Sequence, residues 1–234
     1  MTEVQLFAVE RLDLVFEPRP WDFALARGAE IEANFAAMQQ EKPALYNGRV
    51  LLLHRYDMHD GVLRGAYLET DYASFSAWIR WGWPEAGAYD CFGAAAIVSA
   101  DGAVLLGEMG PHTFNAGAIY FPAGTPGPED VVDGKVDLDF SLRRELTEET
   151  GLDAADFTAE AGWTIVRDGA LLVAIKVLRS ALDAQTLRAR IAGWLARQNQ
   201  PELVDIRIVR GPSDFHPKMR RFVRAFLAHH FAGR

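Results

Sequence analysis

A single cysteine, Cys91, stands in this 234-residue chain, which excludes an intramolecular disulfide and any metal site built on several thiolates. Both absences fit a reducing cytoplasm, the expected location. Long hydrophobic runs are missing too. No segment approaches the roughly 18 uninterrupted apolar residues that a membrane span needs, and the opening MTEVQLFAVE carries acids and no apolar run of signal length. No membrane partner is expected. Positive charge is in deficit, with 24 Lys and Arg against 32 Asp and Glu for a formal net charge of -8, a field that repels a nucleic-acid backbone and argues against polymeric DNA or RNA as a partner. The deficit is uneven. From Ile206 to Arg234 the cations Arg207, Arg210, Lys218, Arg220, Arg221, Arg224 and Arg234 face Asp214 alone; the plain reading is a solvated helix face, the sharper one a phosphate-contacting edge.

What is present is a globular composition, 50% hydrophobic, long enough to bury a sizeable core in one large or two small domains. The pattern divides at the loop GWPEAGAYD, where Gly and Pro break both helix and strand. Residues 1–88 read as a small α+β accessory domain: a strand from Val4 to Phe16, a helix from about Asp22 to Gln40, the strands VLLLHRY and VLRGAYLET around an HDG turn, and a helix from Tyr72 to Trp81. Residues 89–234 read as α/β. FGAAAIVSADGAVLLGE is a hairpin around Asp-Gly, and GAIYFPAG is a further strand. A long Gly-, Pro- and Asp-rich loop, TPGPEDVVDGKVD, leads to a helix. Strands near Trp163–Val166 and Leu171–Leu178, a helical DAQTLRARIAGWLARQ, an extended PELVDIRIV and a last helix from Lys218 to Phe231 complete the domain.

The helix after the long loop contains RRELTEETGL. At about 100° per residue, Glu145, Glu148 and Glu149 fall within about 100° of arc and border the apolar stripe begun by Leu142 and Leu146, with Arg143 and Thr147 opposite. Like charges at i, i+3 and i, i+4 repel by a few tenths of a kcal/mol in water and by more as a site dries, so a cation is expected to compensate. An all-oxygen cluster with no soft donors suits a hard divalent ion, Mg²⁺ or Mn²⁺, and such ions serve phosphate chemistry. Gly151 is placed to end the helix in the left-handed conformation.

Arg144-Glu145-Leu146-Thr147-Glu148-Glu149-Thr150-Gly151-Leu152 matches every specified position of R-E-apolar-x-E-E-x-G-apolar, so the chain resembles the Nudix hydrolase family in the second half of its box. A chance match in a chain of this length has a probability on the order of 10⁻⁵ from average residue usage. The resemblance implies a Nudix α/β/α sandwich with a mixed sheet, preceded by the small α+β domain. It also implies Mg²⁺- or Mn²⁺-dependent cleavage of a phosphoanhydride in a nucleoside diphosphate linked to another moiety. By motif position Glu145, Glu148 and Glu149 are the metal ligands and Arg144 holds them. The first half of the box departs from the pattern: Val136 stands where a glutamate is expected and Asp130 where a glycine is, and with Gly124 as the loop glycine the loop is about six residues longer than usual. Asp133, Asp137 or Asp139 supplies the displaced carboxylate, or Asp137 or Asp139 is the helix N-cap.

The substrate is not separable from sequence. KPALYNGRVLLLH and GVLRGAYLETDYASF are loosely similar to the extra domain of Nudix enzymes that cleave nucleotide sugars, while NAGAIYFPAG is similar to a segment of coenzyme A-type members whose arginine-bearing signature is absent; ADP-ribose is a third candidate. Trp78, Trp81 and Trp83 are either a base-stacking platform or core. His54, His59, His112 and His216 lack metal-pair spacing, and Arg210, Lys218 and Arg220 are either phosphate contacts or surface charges. A homodimer is compatible with the pattern. The rival functional class is a Nudix-like nucleotide-binding or regulatory module without catalysis, to which Val136 and the extra domain point.

Overall fold

The computed structural model describes residues 3–43 and 45–233; Arg234 of the basic stretch lies outside them. The chain opens with β1 (Gln5–Val9) and β2 (Arg11–Phe16), which join different sheets where one strand is expected from sequence. Helices α1 (Asp22–Ala26) and α2 (Gly28–Glu41) replace the one helix expected there. The break falls at Arg27, with φ -121 and ψ 20, before Gly28, the residue type that most weakens a helix after proline. Strands β3 (Arg49–His59) and β4 (Val62–Asp71) form the expected hairpin. Its turn places Asp60 and Gly61 at φ 54 and 69, the left-handed pair that a type I′ turn requires. Helix α3 (Tyr72–Arg80) starts where Asp71 accepts the Ser74 N–H at 2.7 Å.

Next come β5 (Asp90–Val98), β6 (Val104–Met109), β7 (Ile119–Tyr120), and the short strands β8 (Val131–Val132) and β9 (Lys135–Val136). After them follow α4 (Leu138–Thr150), β10 (Phe157–Ala159), β11 (Trp163–Asp168), β12 (Leu171–Ser180), α5 (Ala184–Leu195), β13 (Leu203–Val209) and α6 (Arg221–Ala232). Contacts gather these into two compact units, one of residues 1–10, 92–124 and 138–234, the other of residues 11–91 and 125–137. The chain therefore passes between units four times, where a single cut at 88/89 is expected from sequence.

The larger unit is built on an eight-stranded sheet, ordered β1-β11-β12-β5-β6-β13, with β10 beside β12 and β7 beside β6. The pairs β1–β11, β11–β12, β5–β6 and β6–β13 are antiparallel. Its two faces bury separate cores. Ala94, Ala96, Val98, Val104 and Leu106 face Phe222, Val223, Phe226 and Leu227 of α6; Ala95, Ile97 and Leu105 face Leu142 and Leu146 of α4 and Leu187 and Ile191 of α5. The central strands are apolar on both sides because helices cover both, and the result is the expected α/β/α sandwich. The small residues of β5 set the helix distance: a Cβ on Gly93 would lie 2.6 Å from the Leu138 carbonyl oxygen, so the first turn of α4 rests on bare backbone.

The smaller unit is a five-stranded mixed sheet in the order β3-β4-β2-β9-β8, parallel only between β2 and β4. Ile31 and Phe35 of α2 pack with Ala73 and Ala77 of α3. The long loop read as irregular is in part a hairpin, β8–β9, turning on Asp133 and Gly134 at φ 50 and 75. Val136, in the box position where an acid is expected, is 5% exposed on β9: an apolar strand residue occupies the position, and the loop's added length is used in pairing β9 with β2. No described helix is long and apolar enough to cross a membrane.

Candidate active site

Helix α4 is oriented by Leu142 and Leu146, both fully buried beneath the sheet. That packing decides the exposure of the acids at its border. Glu149 is 5% exposed and the Glu145 side chain 15%, but that of Glu148 is 60%. The three are therefore unequal where sequence periodicity places them together: two acids are withdrawn from water and the third stands at the rim. At the end of the helix Gly151 has φ 67 and its N–H donates to the Thr147 carbonyl at 2.8 Å, the left-handed cap expected from sequence. A Cβ there would also lie 2.4 Å from the Trp194 ring, and Trp194 Nε1 donates to the Glu148 carbonyl at 3.3 Å. Helix α5 thus closes the end of α4 from which the acids project.

The segment Phe121–Gly124 covers the acids from the other side. It is held to β5 by the Ala95 N–H to the Pro122 carbonyl, at 3.0 Å, and by a bridge between Ala94 and Ala123. The Ala123 N–H donates to Glu149 Oε2 at 3.2 Å. Gly124 lies against the other acid, where a Cβ would fall 2.3 Å from Glu145 Oε1. The glycine here serves close approach, since no side chain larger than hydrogen leaves room for that carboxylate.

Arg144 donates through one Nη to Glu145 at 2.8 Å and to Glu148 at 3.3 Å. It does not offset the cost of burial. Desolvation pushes Glu145 up to about 7, with the charges of Glu148 and Glu202 adding to the rise and Arg144 opposing it. Glu149 is raised well above the usual carboxylate range by burial first, then by Glu145 and Glu202, against the Ala123 N–H. Glu202 is an exposed residue just before β13 that sequence reasoning missed. Its main chain is anchored where its carbonyl accepts the Gly110 N–H at 2.7 Å, and its charge reaches Glu145, Glu149 and the Tyr120 hydroxyl. It belongs to no motif and lies fifty residues beyond Leu152, the last position of the box, so only the fold brings it here.

The donor set of Glu145, Glu148, Glu149 and Glu202 is oxygen throughout, which fits a hard divalent ion and no soft one. Glu145 and Glu149 are both desolvated, and Arg144 opposes the rise at Glu145 alone; binding a further positive charge would relieve the pair. As they stand, no three His, Cys, Asp or Glu groups among the described residues are arranged as a ready metal cage; Glu148, held outward by Arg144, is the member that would have to turn inward.

The remaining candidates are dispersed. Asp133 is the left-handed turn residue of β8–β9, Asp137 directly precedes α4, and Asp139 pairs with Arg143 at 2.5 Å within the first turns of that helix. Trp78 is fully buried and donates to the Pro84 carbonyl at 2.8 Å; Trp83 meets it edge-on and Trp81 stacks under Arg27, 4.1 Å from its ring centre. Trp78 and Trp83 hold the 82–88 loop to α3, while Trp81 meets Arg27 and Phe23. The His54 side chain is 5% exposed on β3, with its proton affinity lowered by desolvation, and no described histidine joins a metal-binding group. Arg210 pairs with Asp101 at 3.1 Å and Lys218 with Glu108 at 3.0 Å, while Arg220 donates to Asn115 at 2.6 Å.

No protein-family model and no curated protein matches this sequence. The fold is similar to several solved structures. The MutT protein from Methanosarcina mazei Go1 is 18% identical with a TM-score of 0.41, the match covering 62% of this chain and 94% of that one. A Nudix hydrolase from Nitrosomonas europaea is 19% identical with a TM-score of 0.39, over 62% and 90% of the two chains. The Nudix domain of Shewanella oneidensis NrtR, solved with ADP ribose, is 16% identical with a TM-score of 0.42, over 68% and 97%. At such identities and TM-scores these likenesses carry no weight for chemistry, which rests on the chain's own residues.

Proposed function

We propose that the chain is a Nudix-type pyrophosphohydrolase, dependent on Mg²⁺ or Mn²⁺, that cleaves a phosphoanhydride bond in a nucleoside diphosphate linked to another moiety. The observation that carries this reading is the pair Glu145 and Glu149, withdrawn from water on a helix whose sequence matches the second half of the Nudix box. A purely structural helix has no use for two desolvated like charges beside its core. A bound divalent ion would neutralise phosphoryl oxygens and favour water attack at phosphorus. Glu145, Glu148 and Glu149 would hold it, with Arg144 setting the rotamers of Glu145 and Glu148. Gly124 leaves the space Glu145 occupies, and Glu202 faces the pair as an exposed carboxylate able to take a proton from an attacking water. The substrate class extends to nucleotide sugars, ADP-ribose and coenzyme A.

Purified protein with Mg²⁺, offered UDP-glucose, ADP-ribose, coenzyme A, NADH, dNTPs and diadenosine polyphosphates, is expected to turn over at least one of them. Glu149→Gln is expected to lower that rate by about 100-fold or more, the scale of losing one preorganised electrostatic contact. Silence across the panel refutes the hydrolase. A second reading, a nucleotide-binding module without catalysis, draws on the buried Val136 and on the outward Glu148. Tight, metal-independent nucleotide binding that survives Glu149→Gln would establish it instead.

A further inference from the structure

Most cations of the basic C-terminal stretch are neutralised inside the fold. Arg207 and Lys218 share Glu108, Arg210 takes Asp101, and Arg221 takes Asp168. Arg220 and Arg224 have no carboxylate partner among the described residues, and of these two only Arg220 is tied to the candidate site. The segment before α6 runs beside β7: the Ile119 N–H donates to the Lys218 carbonyl at 3.1 Å, Ile119 and Met219 form a parallel bridge, and the Arg220 N–H meets the Ile119 carbonyl at 3.4 Å. This sets Arg220 next to Tyr120. Its guanidinium donates to Asn115 Oδ1 at 2.6 Å, and the same amide donates through Nδ2 to the Tyr120 hydroxyl at 3.3 Å. Tyr120 is near enough to Glu149, Glu202 and Arg220 to feel all three charges. Arg220 is also the N-cap of α6, with no acid in the first helical turn, where the helix dipole disfavours a cation.

We propose that Arg220, oriented by Asn115, is the contact for a non-reacting phosphate of the substrate, and so selects substrates with a second phosphate beside the one attacked. This rests on the hydrolase reading for the word substrate, but not for the binding itself. The chemistry is specific to the residue: a guanidinium fixed through one edge by an amide keeps its other N–H groups for a phosphate oxygen pair, a geometry that lysine does not reproduce. Asn115 is a positioning residue, since it acts through Arg220.

Calorimetric titration of the full chain with α,β-methylene-ADP, inorganic pyrophosphate and adenosine, in Mg²⁺ at low salt, tests the assignment. Arg220→Ala is expected to weaken both anions by about 10- to 100-fold, the scale of one charged hydrogen-bonded contact, and to leave adenosine unchanged. Arg220→Lys should fall between. Arg210→Ala, whose guanidinium is held by Asp101, should match wild type, and the salt dependence of anion binding should be shallower for Arg220→Ala than for wild type. Asn115→Ala should weaken the anions less than Arg220→Ala and add nothing in the double variant. Equal anion affinity in Arg220→Ala, a proportional loss for adenosine, or no anion binding by wild type overturns the proposal. Arg220-dependent anion binding together with silence across the substrate panel would sustain it while removing the hydrolase reading.

Discussion

Replacing Glu145 with glutamine keeps the shape of the site and removes one of its two desolvated charges. In the folded chain this acid titrates at about 7, against 4.5 for the ordinary side chain, so the native state holds its proton more tightly than the unfolded state does. Below pH 4.5 both states are protonated and nothing is lost. As pH rises from 4.5 through about 7, the unfolded state releases the proton first, and wild type loses about 3 kcal/mol of stability from this one group. Glutamine has no proton to release. In a chelating buffer the stability of Glu145→Gln minus that of wild type should therefore grow by about 3 kcal/mol between pH 4.5 and pH 8.5, which corresponds to roughly 2–4 °C in melting temperature for each kcal/mol. Adding Mg²⁺ should narrow the gap at pH 8.5, because an ion at 100 times its dissociation constant stabilises wild type by about 2.7 kcal/mol and the variant by less. Urea melts at the two pH values, with and without the ion, measure all of this. A gap that does not change with pH, or a wild type more stable than the variant at pH 8.5 in chelator, would refute the claim that burial strains this acid.

Gly124→Ala is expected to lower turnover of whichever substrate the panel finds by at least about 10-fold with little loss of stability, because the new methyl would fall 2.3 Å from Glu145 Oε1 and the carboxylate is what must move; a rate equal to wild type would show that the close approach has no role. Val136→Glu, which puts an acid at the position where the resembled motif has one, should destabilise the chain by about 3 kcal/mol or more in urea melts at pH 8, since the position is 5% exposed on β9 and the new charge would lie unpaired among strand residues; a gain in activity without that loss would count against this reading of the position.

What could be read in the sequence was whatever is written locally. Asp60-Gly61 and Asp101-Gly102 both signal hairpins, and both hairpins are present; the first is a two-residue turn with both residues left-handed, the second a longer loop between Val98 and Val104 in which Gly102 alone is left-handed. The helix of RRELTEETGL, its apolar stripe and its glycine cap are likewise properties of neighbouring residues. Asp133-Gly134 carries the same signal more faintly, because the flanking VV and KV are only two residues long and β9 is paired with β2, far back in the chain. Equal standing of the three glutamates failed for a related reason: helical periodicity places side chains on an arc, but the Phe121–Gly124 segment decides which part of that arc is dry. Glu202 and the Asn115–Arg220 pair were out of reach, since their neighbours are supplied by β6, β7 and the strand order. Of the three basic residues that sequence leaves equivalent, Arg210, Lys218 and Arg220, only the partners assigned by the fold tell them apart.

The four passages of the chain between units constrain how the protein can be made. Strand β1 precedes every other described strand in the chain, yet its partner β11 is among the later ones. Asp13 and Lys135, joined at 3.1 Å beside the β2–β9 pairing, are 122 residues apart. The smaller sheet cannot be completed before Val136 is made, nor the larger before Val209, so strands made earlier wait with unsatisfied edges. Dependence on chaperones and slow refolding from denaturant are the natural accompaniments of such threading.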